Sequence, residues 1–128
     1  MQPVQFKSLS HQISDTEKQW FAIRTQLKCE KKVLHFLTLK SIETYLPIQK
    51  YTRRYGRRIA LVEKPLINNY LFVKISRKDY VAVLDTQFVF GYVKFGDQLL
   101  HIPEQEILFI KKVIGEFHDI ELNDEEIA

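Results

Sequence analysis

The ten residues from Lys64 to Val73, Lys-Pro-Leu-Ile-Asn-Asn-Tyr-Leu-Phe-Val, constrain the fold of this chain more than any other stretch. Pro65 has no backbone N–H to give to a sheet ladder, and Asn68 and Asn69 tolerate turn geometry, so the segment bends before it extends. Tyr70, Leu71, Phe72 and Val73 then favour a strand strongly. The reading is a kink that leads into a strand.

The rest of the order follows from the same signals. Residues 1–19 are polar and aperiodic and read as an extension, so the fold is expected to begin at Trp20 with a short strand over 20–25. Lys28 to Ile42 show helical spacing, with Cys29, Val33, Phe36 and Leu37 on one face. Thr44–Thr52 and Arg58–Glu63 read as the arms of a long β-hairpin around Arg53-Arg54-Tyr55-Gly56-Arg57, where Gly56 permits the turn. After the kink, residues 69–75 make a strand, and Ser76 with Asp79 three positions on can cap a short helix reaching Leu84. Phe88–Phe95 read as one returning strand that ends at Gly96-Asp97. Pro103, Glu104 and Glu106 suit the start of a last helix, and Lys111, Lys112 and Gly115 suit its end. The order β-α-β-β-α-β-α predicts an α+β sandwich, a mainly antiparallel four-stranded sheet flanked by helices.

At 128 residues, 45% of them hydrophobic, the chain is long enough for one core. No apolar run approaches the roughly 20 residues of a membrane span, and the first residues lack the apolar block of a secretory signal. A cytoplasmic location with no membrane partner is the expectation. Cys29 is the one cysteine and reads as a small buried hydrophobe, and neither it nor the scattered His11, His35, His101 and His118 suggests a metal site or a nucleophile. With four glycines there is no phosphate-cradling loop. The expectation is a binding protein with no catalytic residue, no metal and no cofactor.

Charge is unevenly spread. Residues 1–115 hold all 19 Lys and Arg against 10 Asp and Glu, whereas residues 116–128 hold 6 acids and no Lys or Arg. A basic body favours phosphate backbones or acidic proteins, and an acidic tail reads as a solvated linker. Lys28, Lys31, Lys32 and His35 recur at helical spacing and could track phosphates, although an ordinary solvated helix face has the same pattern. Arg53, Arg54, Arg57 and Arg58, interleaved with Tyr51 and Tyr55, could grip phosphate and stack on bases, or could simply keep an edge hairpin soluble. Ile67, Tyr70, Phe72, Ile107 and Ile110 could form one exposed apolar patch, against the general tendency of each to be core.

The opening Trp20-Phe21-Ala22, Pro47, the segment Pro65-Leu66-Ile67-Asn68-Asn69-Tyr70-Leu71-Phe72-Val73, Val93-Lys94-Phe95-Gly96 and Ile102-Pro103 together resemble the N-terminal domain of NusG-family transcription elongation factors. The resemblance covers about Trp20 to Gly115. Where the family usually shows Phe-Pro-Gly or Phe-Pro-Asn before the Tyr, this chain has Ile67-Asn68-Asn69, and it looks most similar to the specialised RfaH- and UpxY-like antiterminators of surface (capsular) polysaccharide operons.

The resemblance implies a role without chemistry. Family members grip the coiled-coil clamp helices of the largest RNA polymerase subunit through a surface that maps onto Ala22, Arg24, Ile67, Tyr70, Phe72, Ile107 and Ile110, with Tyr70 and Phe72 as anchors. Paralogs that read DNA face the non-template strand of the transcription bubble through positions corresponding to Lys28, Lys31, Lys32, His35, Thr86 and Gln87. Holding the clamp would oppose the opening that accompanies pausing and termination, by population shift. A KOW β-barrel usually follows, so these residues are expected to be the N-terminal part of a longer protein whose barrel would recruit the ribosome or other factors. The competing reading is a stand-alone RNA-binding domain, because β-α-β-β-α-β is also the topology of RNA-recognition modules. A purely structural interaction domain is the third.

Overall fold

The computed structural model describes residues 9–114. They fall into two compact units, one within Met1–Leu46 and Asn68–Glu104, the other within Pro47–Ile67 and Gln105–Ala128.

The first unit is built on an antiparallel sheet of β1 (Gln19–Thr25), β2 (Glu43–Tyr45), β5 (Tyr70–Ile75) and β6 (Val89–Tyr92), in the order β2-β5-β1-β6, with β9 (His101–Ile102) also paired to β1. Central β1 lies against β5 with Ala22 opposite Phe72 and Arg24 opposite Tyr70. Because side chains alternate across a strand, Phe21, Ile23, Leu71 and Val73 share one face. Each is buried, as are Val33 and Leu37 of helix α1 (Glu30–Leu39), which packs on β2 and β5. The mixed α+β architecture with antiparallel sheets is as expected.

Helix α1 is shorter at both ends than its periodicity suggested. Lys28 takes a positive φ of 65° ahead of it, which ends the helical path at Cys29. At the far end Ser41 has φ 62°, Ile42 N–H donates to Leu37 O and Ser41 N–H to Thr38 O, both at 3.0 Å. This is a Schellman stop with serine where glycine is usual. Cys29 is buried and unpaired, as expected of a small hydrophobe.

The Asn pair makes the turn into β5. Asn69 has φ 72°, its N–H donates to the buried Glu30 carboxylate at 2.8 Å, and its carbonyl accepts from Thr25 N–H at 2.8 Å. After β5, a 3-10 turn (Arg77–Asp79) leads into α2 (Tyr80–Leu84), and the Asp79 carboxylate accepts from Ser76 N–H at 3.2 Å in the capping box.

The expected single strand over Phe88–Phe95 is broken. Opposite β1, the register passes from Arg24–Gly91 to Thr25–Val89, so Phe90 is the extra residue of a bulge. Val93 N–H then donates to Ala22 O at 2.9 Å, and β7 (Lys94–Phe95) leaves to pair with β8 (Gln98–Leu99) as a separate small hairpin. The segment before Trp20 is not loose where it is described. Arg77 Nε donates to Ser10 O and Ile13 O at 3.1 Å each, Arg77 Nη1 lies 2.8 Å from Asp15 Oδ1, and Ile13 is buried. Gln12 bridges Asp97 O at 2.6 Å and Leu99 N–H at 2.7 Å.

A buried pair of tyrosines links α2 to the sheet. The Tyr92 hydroxyl donates to Tyr80 O at 3.0 Å and the two rings stack at 4.8 Å. Burial pushes the Tyr92 phenol far above its ordinary value, with Tyr80 and Asp79 adding to the shift, and burial raises Tyr80 as well. Below about pH 10 both folded and unfolded chains keep these protons; above it the unfolded chain ionises first, so folding stability is lost as pH rises. The unfolding midpoint in urea is expected to fall above about pH 10 and to fall less for Tyr92→Phe, and identical profiles would contradict this.

The second unit contains the long hairpin, β3 (Ile48–Tyr55) and β4 (Arg58–Pro65), paired from Ile48–Pro65 to Tyr55–Arg58. The expected first arm is divided: Glu43–Tyr45 joins the main sheet and the hairpin starts after Pro47, whose missing N–H interrupts the ladder. Only Gly56, at φ 60°, and Arg57 form the loop, so Arg53 and Arg54 are strand residues. Residues 104–114 form the last helix, α3, and Gly115, the expected stop, lies outside the described residues. Among the described residues no helix is long and apolar enough to cross a membrane.

Candidate functional site

On the sheet face opposite α1, Trp20, Ala22 and Arg24 follow one another along β1 beside Lys74, Phe72 and Tyr70 of β5. This face is covered for most of its length. Trp20 and Ala22 are buried, and Trp20 Nε1–H donates to Glu104 Oε1 at 2.9 Å, where Lys74 also pairs at 3.2 Å. Phe72 is only 8% exposed and stacks on Tyr45 at 6.3 Å, so the expected second anchor is a core ring. Access begins at the next row, where Arg24 is exposed and Tyr70 half-buried.

Arg24 is flanked by Tyr70 on β5 and by Gly91 on β6. A groove of about 580 Å³ opens there, lined by Arg24, Tyr70, Leu84, Phe90, Gly91 and Lys94 among others. Phe90 is 62% exposed. Sequence reasoning missed it because it sat inside a strand pattern, and only the bulge turns its ring outward. In the second unit Ile67 is exposed; on α3 Ile107 is fully buried and Ile110 half-buried, while Leu108 and Phe109 are exposed.

The basic face of α1 is accessible. Lys31, Lys32 and His35 are exposed on the helix, and Lys28 is exposed in the turn before it. The loop after α2 meets this face through Phe88. Its ring stacks on Phe36 at 6.4 Å, Lys32 Nζ lies 5.5 Å from its centroid, and Gln26 N–H donates to its carbonyl at 2.9 Å. Phe88 holds a φ of 72°, unusual for a bulky residue. The two candidate DNA-reading segments are thus brought together, but their side chains differ. Gln87 is exposed. Thr86 is buried, its hydroxyl donating to Ala82 O at 2.9 Å and accepting from Lys40 Nζ at 3.0 Å, so it closes α2 instead of facing outward.

Pairing sorts the hairpin arginines. Arg53 and Arg58 share a face with Tyr51 and Tyr55, and Arg53 lies over the Tyr51 ring at 5.6 Å, donating to its hydroxyl at 3.1 Å. Arg54 is on the other face beside exposed Ile59 and Leu61, and Arg57 sits in the loop. All four arginines are exposed.

Residues 18–111 match the family model described as transcription termination factor nusG. No curated protein matches the chain. Among solved structures, that described as "Domain interaction in Thermotoga maritima NusG" aligns with TM-score 0.56 and 21% identity over 80% of this chain and 60% of that one. This chain therefore spans less than two thirds of the length of that protein. Since the family model covers nearly every described element from β1 to α3, the chain belongs to the NusG family.

Proposed function

We propose that this chain binds the clamp helices of RNA polymerase through the row containing Arg24 and Tyr70, faces the non-template DNA strand with the basic side of α1, and suppresses pausing or termination. The observation that carries the reading is the accessible cation and aromatic side by side at the end of a face that is otherwise covered. Interfaces depend on a few such anchors. Gripping the clamp makes its closed state more populated, with no bond made or broken. The sequence Asn68-Asn69-Tyr70 supports the specialised RfaH- or UpxY-like branch and a role at polysaccharide operons. A KOW domain elsewhere in the protein would recruit the ribosome or other factors.

Phosphate contacts position a protein on nucleic acid and base edges specify the sequence. Lys28, Lys31, Lys32 and His35 suit the first role, the arginines of the hairpin suit the same role on flanking DNA, and the exposed Gln87 amide suits bidentate contact with adenine. The RNA-recognition alternative needs aromatic rings open on the sheet. On β5, the strand that would carry the stacked bases, Phe72 is buried and Tyr70 is the one accessible ring.

Transcription by purified polymerase through a pause site tests the proposal: adding the chain is expected to shorten the pause, and an unchanged pause would contradict it. Replacing Lys28, Lys31 and Lys32 together by Gln is expected to weaken single-stranded DNA binding and to reduce its log–log salt slope by roughly 0.7 per lost contact. An unchanged slope would leave these lysines as a solvated face.

A further inference from the structure

We infer that the outer edge of β4 receives the chain's own acidic segment beginning at Asp119, with Ile120 and Leu122 against Ile59 and Leu61 and the carboxylates toward the hairpin arginines. The docking does not depend on the polymerase reading. Ile59 and Leu61 are the reason to look here. Each is 61% exposed, and both lie on one face of a two-stranded sheet that has no third strand among the described residues. An apolar strand with an open edge is a template for pairing, and proteins cover or charge such edges. Here the charge lies mostly on the other face.

Because side chains alternate, Arg58 and Lys64 of β4 share that opposite face with Tyr51, Arg53 and Tyr55 of β3. Arg53 and Lys64 both lie over the Tyr51 ring, at 5.6 and 5.8 Å, and no carboxylate of the hairpin is on this face. Glu63, the one acid in the two strands, is on the Ile59–Leu61 face and lies 3.8 Å from Lys50. Every second residue of β4 also turns its backbone N–H and C=O away from β3. An occupant of this edge therefore needs aliphatic side chains on one face and carboxylates on the other. An extended chain meets that need by alternating them.

The tail has this pattern. Asp119-Ile120-Glu121-Leu122-Asn123 alternates polar and aliphatic residues, and residues 116–128 hold 6 acids and no Lys or Arg. With Ile120 and Leu122 beside Ile59 and Leu61, a period of two sets Asp119 and Glu121 on the Arg53–Arg58 face. A slip of one residue would press carboxylates against the aliphatic pair instead. Helix α3, from which the tail continues, belongs from Gln105 on to the same compact unit as the hairpin. A nucleic-acid strand would engage the arginines but leave Ile59 and Leu61 bare, whereas the acidic segment satisfies both faces. Docked there, it competes for the arginines with the flanking DNA proposed above.

Amide hydrogen exchange of the whole chain, followed residue by residue at low salt, tests the assignment. Ile120→Ser together with Leu122→Ser is expected to speed exchange about tenfold at the β4 amides turned away from β3. Asp119→Asn together with Glu121→Gln is expected to speed it less, to remove the salt sensitivity of that protection, and to tighten binding of a single-stranded DNA. Thermal melts establish that each variant is folded, and the carboxylate pair serves if the Ser pair is not. Parent-like β4 exchange in the folded variants would overturn the proposal. Tighter DNA binding with β4 exchange unchanged would overturn it too, by making the tail a diffuse negative charge. Protection that grows with protein concentration would give the edge to the segment of a second copy and overturn the assignment to the same chain. None of these readouts involves polymerase, so failure here leaves that reading standing.

Discussion

Replacing Phe72 by Ala is expected to destabilise the fold by about 3–5 kcal/mol, the range for a large aromatic removed from a packed core. The ring is 8% exposed, stacks on Tyr45 and sits directly opposite the buried Ala22 of β1, so little around it can collapse into the space it leaves. Lost transfer energy and an unfilled cavity then add. Urea unfolding of parent and variant measures the effect, and a loss below about 1 kcal/mol would mean that the ring is a surface group after all.

Tyr70→Ala should behave in the opposite way although it is two residues away on the same strand face. Tyr70 is half-buried and flanks the exposed Arg24, so its removal is expected to leave the domain folded and to weaken polymerase binding by about 1–4 kcal/mol. Equilibrium binding to intact polymerase reads the first quantity and a melt the second. A folded variant that binds as tightly as the parent would remove Tyr70 from the interface. The pair separates two roles that resemblance alone assigns together.

That separation also marks how far the residues could be read in advance. Local signals were legible: the Asn69 turn, the strand from Tyr70, the Ser76–Asp79 box, the buried Cys29 and the helix begun at Pro103–Glu104 each depend on residues near in sequence. What escaped depends on partners far away. Whether Phe72 faces a cover or a partner is decided by what packs on the sheet face, and its own propensities are the same in both cases. Ser10–Asp15 look loose until Arg77 gathers them. Thr86 looks available until Lys40 and Ala82 take its hydroxyl. The bulge at Phe90 leaves no mark in a run of strand-forming residues, because a slip of one residue changes pairing without changing composition. The helix face was visible as a charge pattern, but Lys28 lies in the turn before α1, since helical spacing does not reveal a positive φ.

Polymerase, and not nucleic acid, is proposed as the primary partner of the Arg24–Tyr70 row. Calorimetric titration of the chain with the isolated clamp helices, with no nucleic acid present, tests it most directly. Saturable binding that Tyr70→Ala weakens, and that the triple Lys28, Lys31 and Lys32 replacement leaves intact, is the predicted result. No heat of binding to the clamp helices, from a folded chain that still binds single-stranded DNA, would contradict it.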